Sequence, residues 1–224
     1  MNKALDEISN NLPAEMQKEI QTQLAELQSS TDNNGSTRIK LKRGRFILPD
    51  DTSIEGKLEA VIVSHVSVNQ LYKGAYDAED PQPPVCYAVG KDPNKLIPTN
   101  DSPDQQASAC DKCPSNQWGS SGKGKACKNT RLLAILTPDD PTKIYTISVS
   151  PTALKAFDSY INKLVNKRVL PVMVVTNIAF DQKCDYLKLA FSLARSNENF
   201  KLFHKQKGAA EALLLTIPNF QGEK

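Results

Sequence analysis

Between Cys110 and Arg131 the chain reads Cys-Asp-Lys-Cys-Pro-Ser-Asn-Gln-Trp-Gly-Ser-Ser-Gly-Lys-Gly-Lys-Ala-Cys-Lys-Asn-Thr-Arg, which fits neither an apolar strand nor an amphipathic helix. This stretch holds three of the five cysteines and the only tryptophan, and no acid occurs between Lys112 and Leu136. Strand character stops near residue 90 and returns at Arg131-Leu132-Leu133-Ala134-Ile135-Leu136. Residues 90–130 therefore read as an insertion between, or within, strands. Loops of this length are uncommon in compact domains unless they are functional or pinned by something else.

The flanking pattern supplies the scaffold. In residues 1–28, Asn10, Asn11 and Pro13 form a helix start, and Met16, Ile20, Leu24 and Leu27 recur at helical spacing. Residues 29–37 contain no apolar side chain and read as a flexible linker, which makes the helical arm separable. From Arg38 the period changes to two, up to Phe46-Ile47-Leu48. A long strand rich in valine and isoleucine follows from Gly56 to about Tyr72, then a short one from Pro84 to Val89. After the insertion come strands at 131–136 and 143–149. A helix opens at Ser150-Pro151, with serine placed to cap it and Leu154, Phe157, Ile161 and Leu164 as its buried face. Strands at 169–180 and 186–195 follow, the second with Leu187, Leu189, Phe191 and Leu193 on one face. Residues 197–224 form a C-terminal helix and tail. The order strand, interrupted strand, strand, helix, strand, strand is that of an OB-fold. The expected architecture is mainly β with α+β decorations: an OB-fold-like five-stranded barrel over 38–196 carrying the insertion. Other small barrels and plain α+β folds are compatible with the same string.

At 224 residues the chain can bury one substantial core. No apolar run approaches the ~20 residues of a membrane span, and the N-terminus carries acids where a signal peptide has an apolar core, so a cytoplasmic protein is expected. The net charge of +3 says little, but its distribution is segregated. Arg38, Lys40, Lys42, Arg43 and Arg45 stand together without an acid, as do Lys112, Lys123, Lys125, Lys128 and Arg131. Two basic stretches suit a polyanion; the plain alternative is two solvated strand faces.

In a reducing compartment five cysteines direct attention to metal before disulfides. Cys110-x-x-Cys113 has the spacing with which two thiolates grip one tetrahedral ion, and Cys127 and Cys86 complete a four-thiolate set. The expected cofactor is a structural Zn2+, with His65 as the alternative to Cys86 and with an iron–sulfur cluster also compatible with four thiolates. Cys184 reads as a buried or free thiol. Gly119 to Lys125 meets the phosphate-loop spacing, but Ala126 stands where a Ser or Thr would hold Mg2+ and no apolar strand precedes it. The two histidines, His65 and His204, sit near no recognisable hydrolytic motif, so no enzyme is expected.

The string Cys110-x-x-Cys113-Pro114, Asn116-Gln117-Trp118-Gly119-Ser120 and Gly122-Lys123-Gly124-Lys125-Ala126-Cys127-Lys128, running into the strand after Arg131, resembles the zinc-containing OB-fold single-stranded DNA-binding proteins of tailed bacteriophages. The resemblance covers mainly the insertion, with looser agreement to about Arg195. It implies largely sequence-independent binding of single-stranded DNA in phage replication or recombination. The chain ends Gln-Gly-Glu-Lys, without the acidic tail by which many such proteins recruit partners, so the helical arm is the candidate surface for replication or recombination proteins. The expected DNA contacts are Lys40, Lys42, Arg43, Arg45, Lys123, Lys125, Lys128 and Arg131 on phosphates. Trp118, with Tyr72, Tyr87 and Tyr145 behind it, is expected to stack on bases. The alternatives are Trp118 as a lid over the metal and, for the whole chain, a zinc-stabilised interaction or structural module that binds no nucleic acid.

Overall fold

The alternation after Arg38 folds into a small meander whose turns are set by backbone sterics. Strands β1 (Lys40–Lys42), β2 (Arg45–Ile47) and β3 (Ser53–Glu55) pair antiparallel in that order. Gly44 and Gly56, both at φ +76°, occupy the left-handed region at the β1–β2 turn and at the exit from β3, where a Cβ would strain the chain. The computed structural model describes residues 37–42, 44–74 and 82–216. The chain divides into two units at Ser36/Thr37, and the described residues all belong to the second. The expected helical arm and the linker to residue 36, Arg43, the segment 75–81 and the tail 217–224 lie outside the described residues.

The remaining elements are β4 (Lys57–Leu71), β5 (Cys86–Gly90), β6 (Lys128–Thr137), β7 (Asp140–Val149), helix α1 (Leu154–Asn166), β8 (Val174–Phe180), β9 (Leu189–Ser196), α2 (Phe200–Lys205) and α3 (Lys207–Leu215). The protein is thus mainly β with antiparallel sheets. The second sheet runs β7-β6-β4-β8-β9, with β5 also on β4. Strand β4 is its axis. Its first residues pair with β8 (Lys57↔Ala179 to Ala60↔Thr176), its last with β5 (Ser67↔Gly90 to Leu71↔Cys86), and its other edge pairs with β6.

The expected OB-fold-like barrel does not close: among the described residues β7 and β9 are the ends of an open sheet and do not pair. The free edge of β7 is used by another segment. Ile39 N donates to Thr146 O at 2.8 Å and Thr146 N to Thr37 O at 2.7 Å, so residues 37–39 lie along the edge where closure would have to occur.

The two faces of this sheet are covered differently. Ile62, Leu133 and Ile135 face a core shared with Phe46 of the meander and with Phe157, Tyr160 and Leu164 of α1. Val66, Val68, Tyr87 and Ala134 on the other face pack on Ala210 and Leu214 of α3. Burying each large apolar side chain contributes about 1.5–3 kcal/mol. A register shift between Ile62 and Ser64 passes the inward role from Ile62 to His65, Ser67 and Asn69. Towards the insertion that face therefore turns from apolar to polar.

Local expectations fail in three places. Ser150 makes no capping bond; its Oγ lies 3.0 Å from Thr152 Oγ1, and α1 starts through the turn Pro151–Ala153. Leu187 and Leu193 are 45% and 56% exposed, because only the stretch from Leu189 to Phe191 reaches the core. The C-terminal helix is two helices broken at Gln206. No described helix is long and apolar enough to cross a membrane.

Candidate nucleic-acid interface

The insertion is polar, and hydrogen bonds to the sheet hold it. Thr99 N donates to Tyr87 O at 2.8 Å and Asp104 N to Val85 O at 2.8 Å, while within the insertion Cys110 N donates to Leu96 O at 2.9 Å. The Ser102 hydroxyl is buried against β5, accepting from Tyr87 N at 3.0 Å and donating to Tyr87 O at 3.2 Å. Leu96, 3% exposed, is the one large apolar anchor, packed with Ala88 and Cys110.

The expected Zn2+ site is corrected. Among the described residues no group of three or more His, Cys, Asp or Glu side chains is placed to hold a metal ion. Cys86, Cys110, Cys113 and Cys127 are all buried and line one cavity of about 10 Å3. Burial, with the neighbouring cysteines adding, pushes Cys127 up to about 12 and Cys110 in the same direction. Thiols so shifted are neutral near pH 7. They behave as small apolar side chains. His65, the alternative ligand, is elsewhere: its ring meets Phe157 edge-on at 5.2 Å. Cys184 is half-buried beside Asp181, as a free thiol.

Around residues 114–127 the chain folds back on itself. Pro114–Asn116 form a single 3-10 turn, and Cys127 N donates to Ser115 O at 2.8 Å. At the tip Gly119 and Gly122 have φ of +90° and +77°, with Gly119 N donating to Gly124 O at 2.9 Å and Gly122 N to Gly119 O at 3.0 Å. These amides are spent on the loop's own carbonyls, which removes the cradle a phosphate loop needs.

A chain of amides ties this loop to the sheet. Asn129 stands opposite Asn69 in the β4–β6 register. Asn129 Nδ2 donates to Asn69 Oδ1 at 2.6 Å and to Asn116 Oδ1 at 2.9 Å, while Asn116 Nδ2 donates to Cys110 O at 2.7 Å. Gln117 Nε2 donates to Asp111 O at 2.9 Å and Cys113 O at 3.2 Å. These groups border a cavity of about 340 Å3 whose walls also include Asn94, Lys125 and Arg131. Sequence reading did not single out the amides or Asp111. The available signal was Asn69 at an inward position of an otherwise apolar strand, with Asn116-Gln117 beside Trp118.

The basic side chains fall into two groups. Lys123 and Lys128 are exposed and Lys125 is half-buried at the cavity, with Nζ 3.4 Å from Asn116 Oδ1. Arg131 stands deeper, its Nη2 3.7 Å from Asp158. Lys40 and Lys42 are exposed on β1, and Arg45 pairs with Glu55 at 2.8 Å. Among the aromatics, Trp118 is 79% exposed, which rules out the lid over the cysteines. Tyr72 is 40% exposed, whereas Tyr87 and Tyr145 are 3% and 5% exposed. The last two are corrected as stacking residues, because packing covers the rings; Tyr87 lies under α3 and Tyr145 in the main core.

Comparison with protein-family models, with curated proteins and with solved structures returned no match.

Proposed function

We propose that the protein is a single-stranded DNA-binding protein, largely indifferent to sequence, that covers single strands during replication or recombination and is not an enzyme. The observation that carries this reading is Trp118, an aromatic ring 79% exposed in a loop flanked by Lys123, Lys125 and Lys128. Exposed indole among cations is what a stacking platform on a polyanion needs, and each stacked base is worth about 1–3 kcal/mol. The resemblance of residues 110–131 points the same way. The order β7-β6-β4-β8-β9, with α1 between β7 and β8, is that of an OB-fold lacking its closing pair, which supports that reading of the fold.

One observation favours a second reading. Tyr186, Leu187 and Leu193, on and beside the edge strand β9, are 57%, 45% and 56% exposed, large apolar side chains of a kind a protein partner could cover. Fluorescence anisotropy of single-stranded and duplex oligonucleotides separates the two. The DNA reading expects preferential binding of single strands, with log K falling by about 0.7 per phosphate neutralised as log salt rises. Absence of binding at low salt overturns it in favour of the partner-docking module.

A further inference from the structure

The amide-lined cavity has a hydrogen-bonding polarity that selects among bases. Both Nδ2 hydrogens of Asn129 are used, on Asn69 and Asn116, which leaves Asn129 Oδ1 an acceptor with no partner among the described residues. Gln117 is held the same way: its Nε2 hydrogens go to two main-chain carbonyls, and its Oε1 remains as an acceptor. Asp111 lines the same cavity, and its carboxylate, a third acceptor group, carries no ion pair among the described residues. The donors there are cationic. Among the described residues Arg131 spends its guanidinium on Asp158 at 3.7 Å and on a long 3.5 Å contact to Thr130 O, and Lys125 makes one long bond, to Asn116. At about 340 Å3 the cavity sits at the small end of ligand pockets (~300–1,000 Å3). Its neighbour in the chain is Trp118.

We propose that this cavity seats one guanine base of a bound single strand, next to a base stacked on Trp118. The inference rests on the single-strand reading and adds a point of base preference to it. Guanine is the base whose Watson–Crick edge offers adjacent donors, N1–H and N2–H2, beside the acceptor O6. Fixed acceptors at Asn129, Gln117 and Asp111 match the donors, and Arg131 or Lys125 matches O6. Adenine and cytosine bring one exocyclic amino group and no ring N–H, and thymine brings one ring N–H and no amino group. Unstacked bases in single strands are read on this edge.

The test uses the full chain and thymidine oligonucleotides of one length with a single central dG, dA, dC or inosine, because a single guanine cannot form a quadruplex. The dG oligonucleotide should bind at least about fivefold tighter than the others, and inosine, which lacks the 2-amino group, should lose most of that gain. Gln117→Ala combined with Asp111→Ala, two exposed side chains, should abolish the preference for dG over thymidine at the central position, both measured on the same variant. Equal binding of every oligonucleotide overturns the guanine seat and leaves the single-strand reading standing. A guanine preference that survives the double substitution, or that inosine matches, also overturns the seat. Failure of every oligonucleotide to bind overturns both.

Discussion

Asn129 Nδ2 and Asn69 Oδ1 lie 2.6 Å apart across the β4–β6 pair, and the same Nδ2 reaches Asn116 Oδ1 at 2.9 Å in the inserted loop. One amide thus bonds the sheet to the loop that carries Trp118. Asn69 is 6% exposed, so removing its partner strands a buried acceptor. Asn129→Ala should destabilise the protein by about 1–3 kcal/mol. The check is urea unfolding, where the midpoint should drop with the slope unchanged. Asn129→Asp, which sets a carboxylate against two carbonyl oxygens, should cost more than the alanine variant.

Trp118 is the only tryptophan, so its emission is the protein's whole tryptophan signal. Stacking predicts quenching as a single strand is titrated in. Trp118→Ala should weaken binding about 5- to 150-fold, the equivalent of about 1–3 kcal/mol for one stacked base. Because the ring is 79% exposed, the melting temperature should not move. Unchanged affinity in that variant would remove Trp118 from the interface.

What the sequence reveals here depends on whether the cause is local. The strand after Gly56 and the helix after Pro151 are readable because valine-rich alternation and a 3.6-residue stripe are properties of neighbouring residues, and β4 and α1 appear where those patterns run. The open sheet is not readable. It depends on residues 37–39 taking the edge of β7, a pairing over more than a hundred positions that no window contains. Tyr87 and Tyr145 have the same local look as Tyr72, and only the packing of α3 and the main core buries them. Cysteine spacing likewise marks a tight turn at residues 110–113, while the directions of four sulfur atoms depend on the fold of the whole insertion. Trp118 was legible for the opposite reason: a polar, glycine-rich segment offers an indole no core to join.

His65 lies half-buried against Phe157, and burial, with the Arg131 charge adding and Asp158 opposing, lowers its pKa from 6.5. The unfolded chain therefore binds the proton more readily than the folded one. Stability is present in full above pH 6.5 and is lost as pH falls below that value towards the folded pKa. Asp50, Glu59, Asp140, Asp181 and Glu211 have lowered pKa values, so their losses begin only near their unfolded values of 3.8 to 4.5. Among the described groups with a shifted pKa, the interval between pH 6.5 and about 5 thus reports on His65. Thermal unfolding across it should show a falling melting temperature in the native protein and a flatter profile in His65→Leu.

Helix α3 covers the sheet face opposite α1 through Ala210 and Leu214, both 0% exposed, packed against Val66, Val68, Tyr87 and Ala134. Beside this contact a cavity of about 310 Å3 opens between Leu213, Thr216, Arg38, Gln70 and Thr130. The helix is held mainly by apolar contact, since its ion pairs, Glu211 to Lys91 at 2.7 Å and to Lys207 at 4.0 Å, are partly exposed and contribute little. Leu214→Ala leaves a void in a closely packed layer and should cost about 2–5 kcal/mol. Hydrogen exchange distinguishes how the loss is taken up. If α3 docks as a separate unit, protection should fall in Lys207–Leu215 while the amides of β6 and α1 stay protected; a uniform fall across the sheet would make the helix part of one cooperative core.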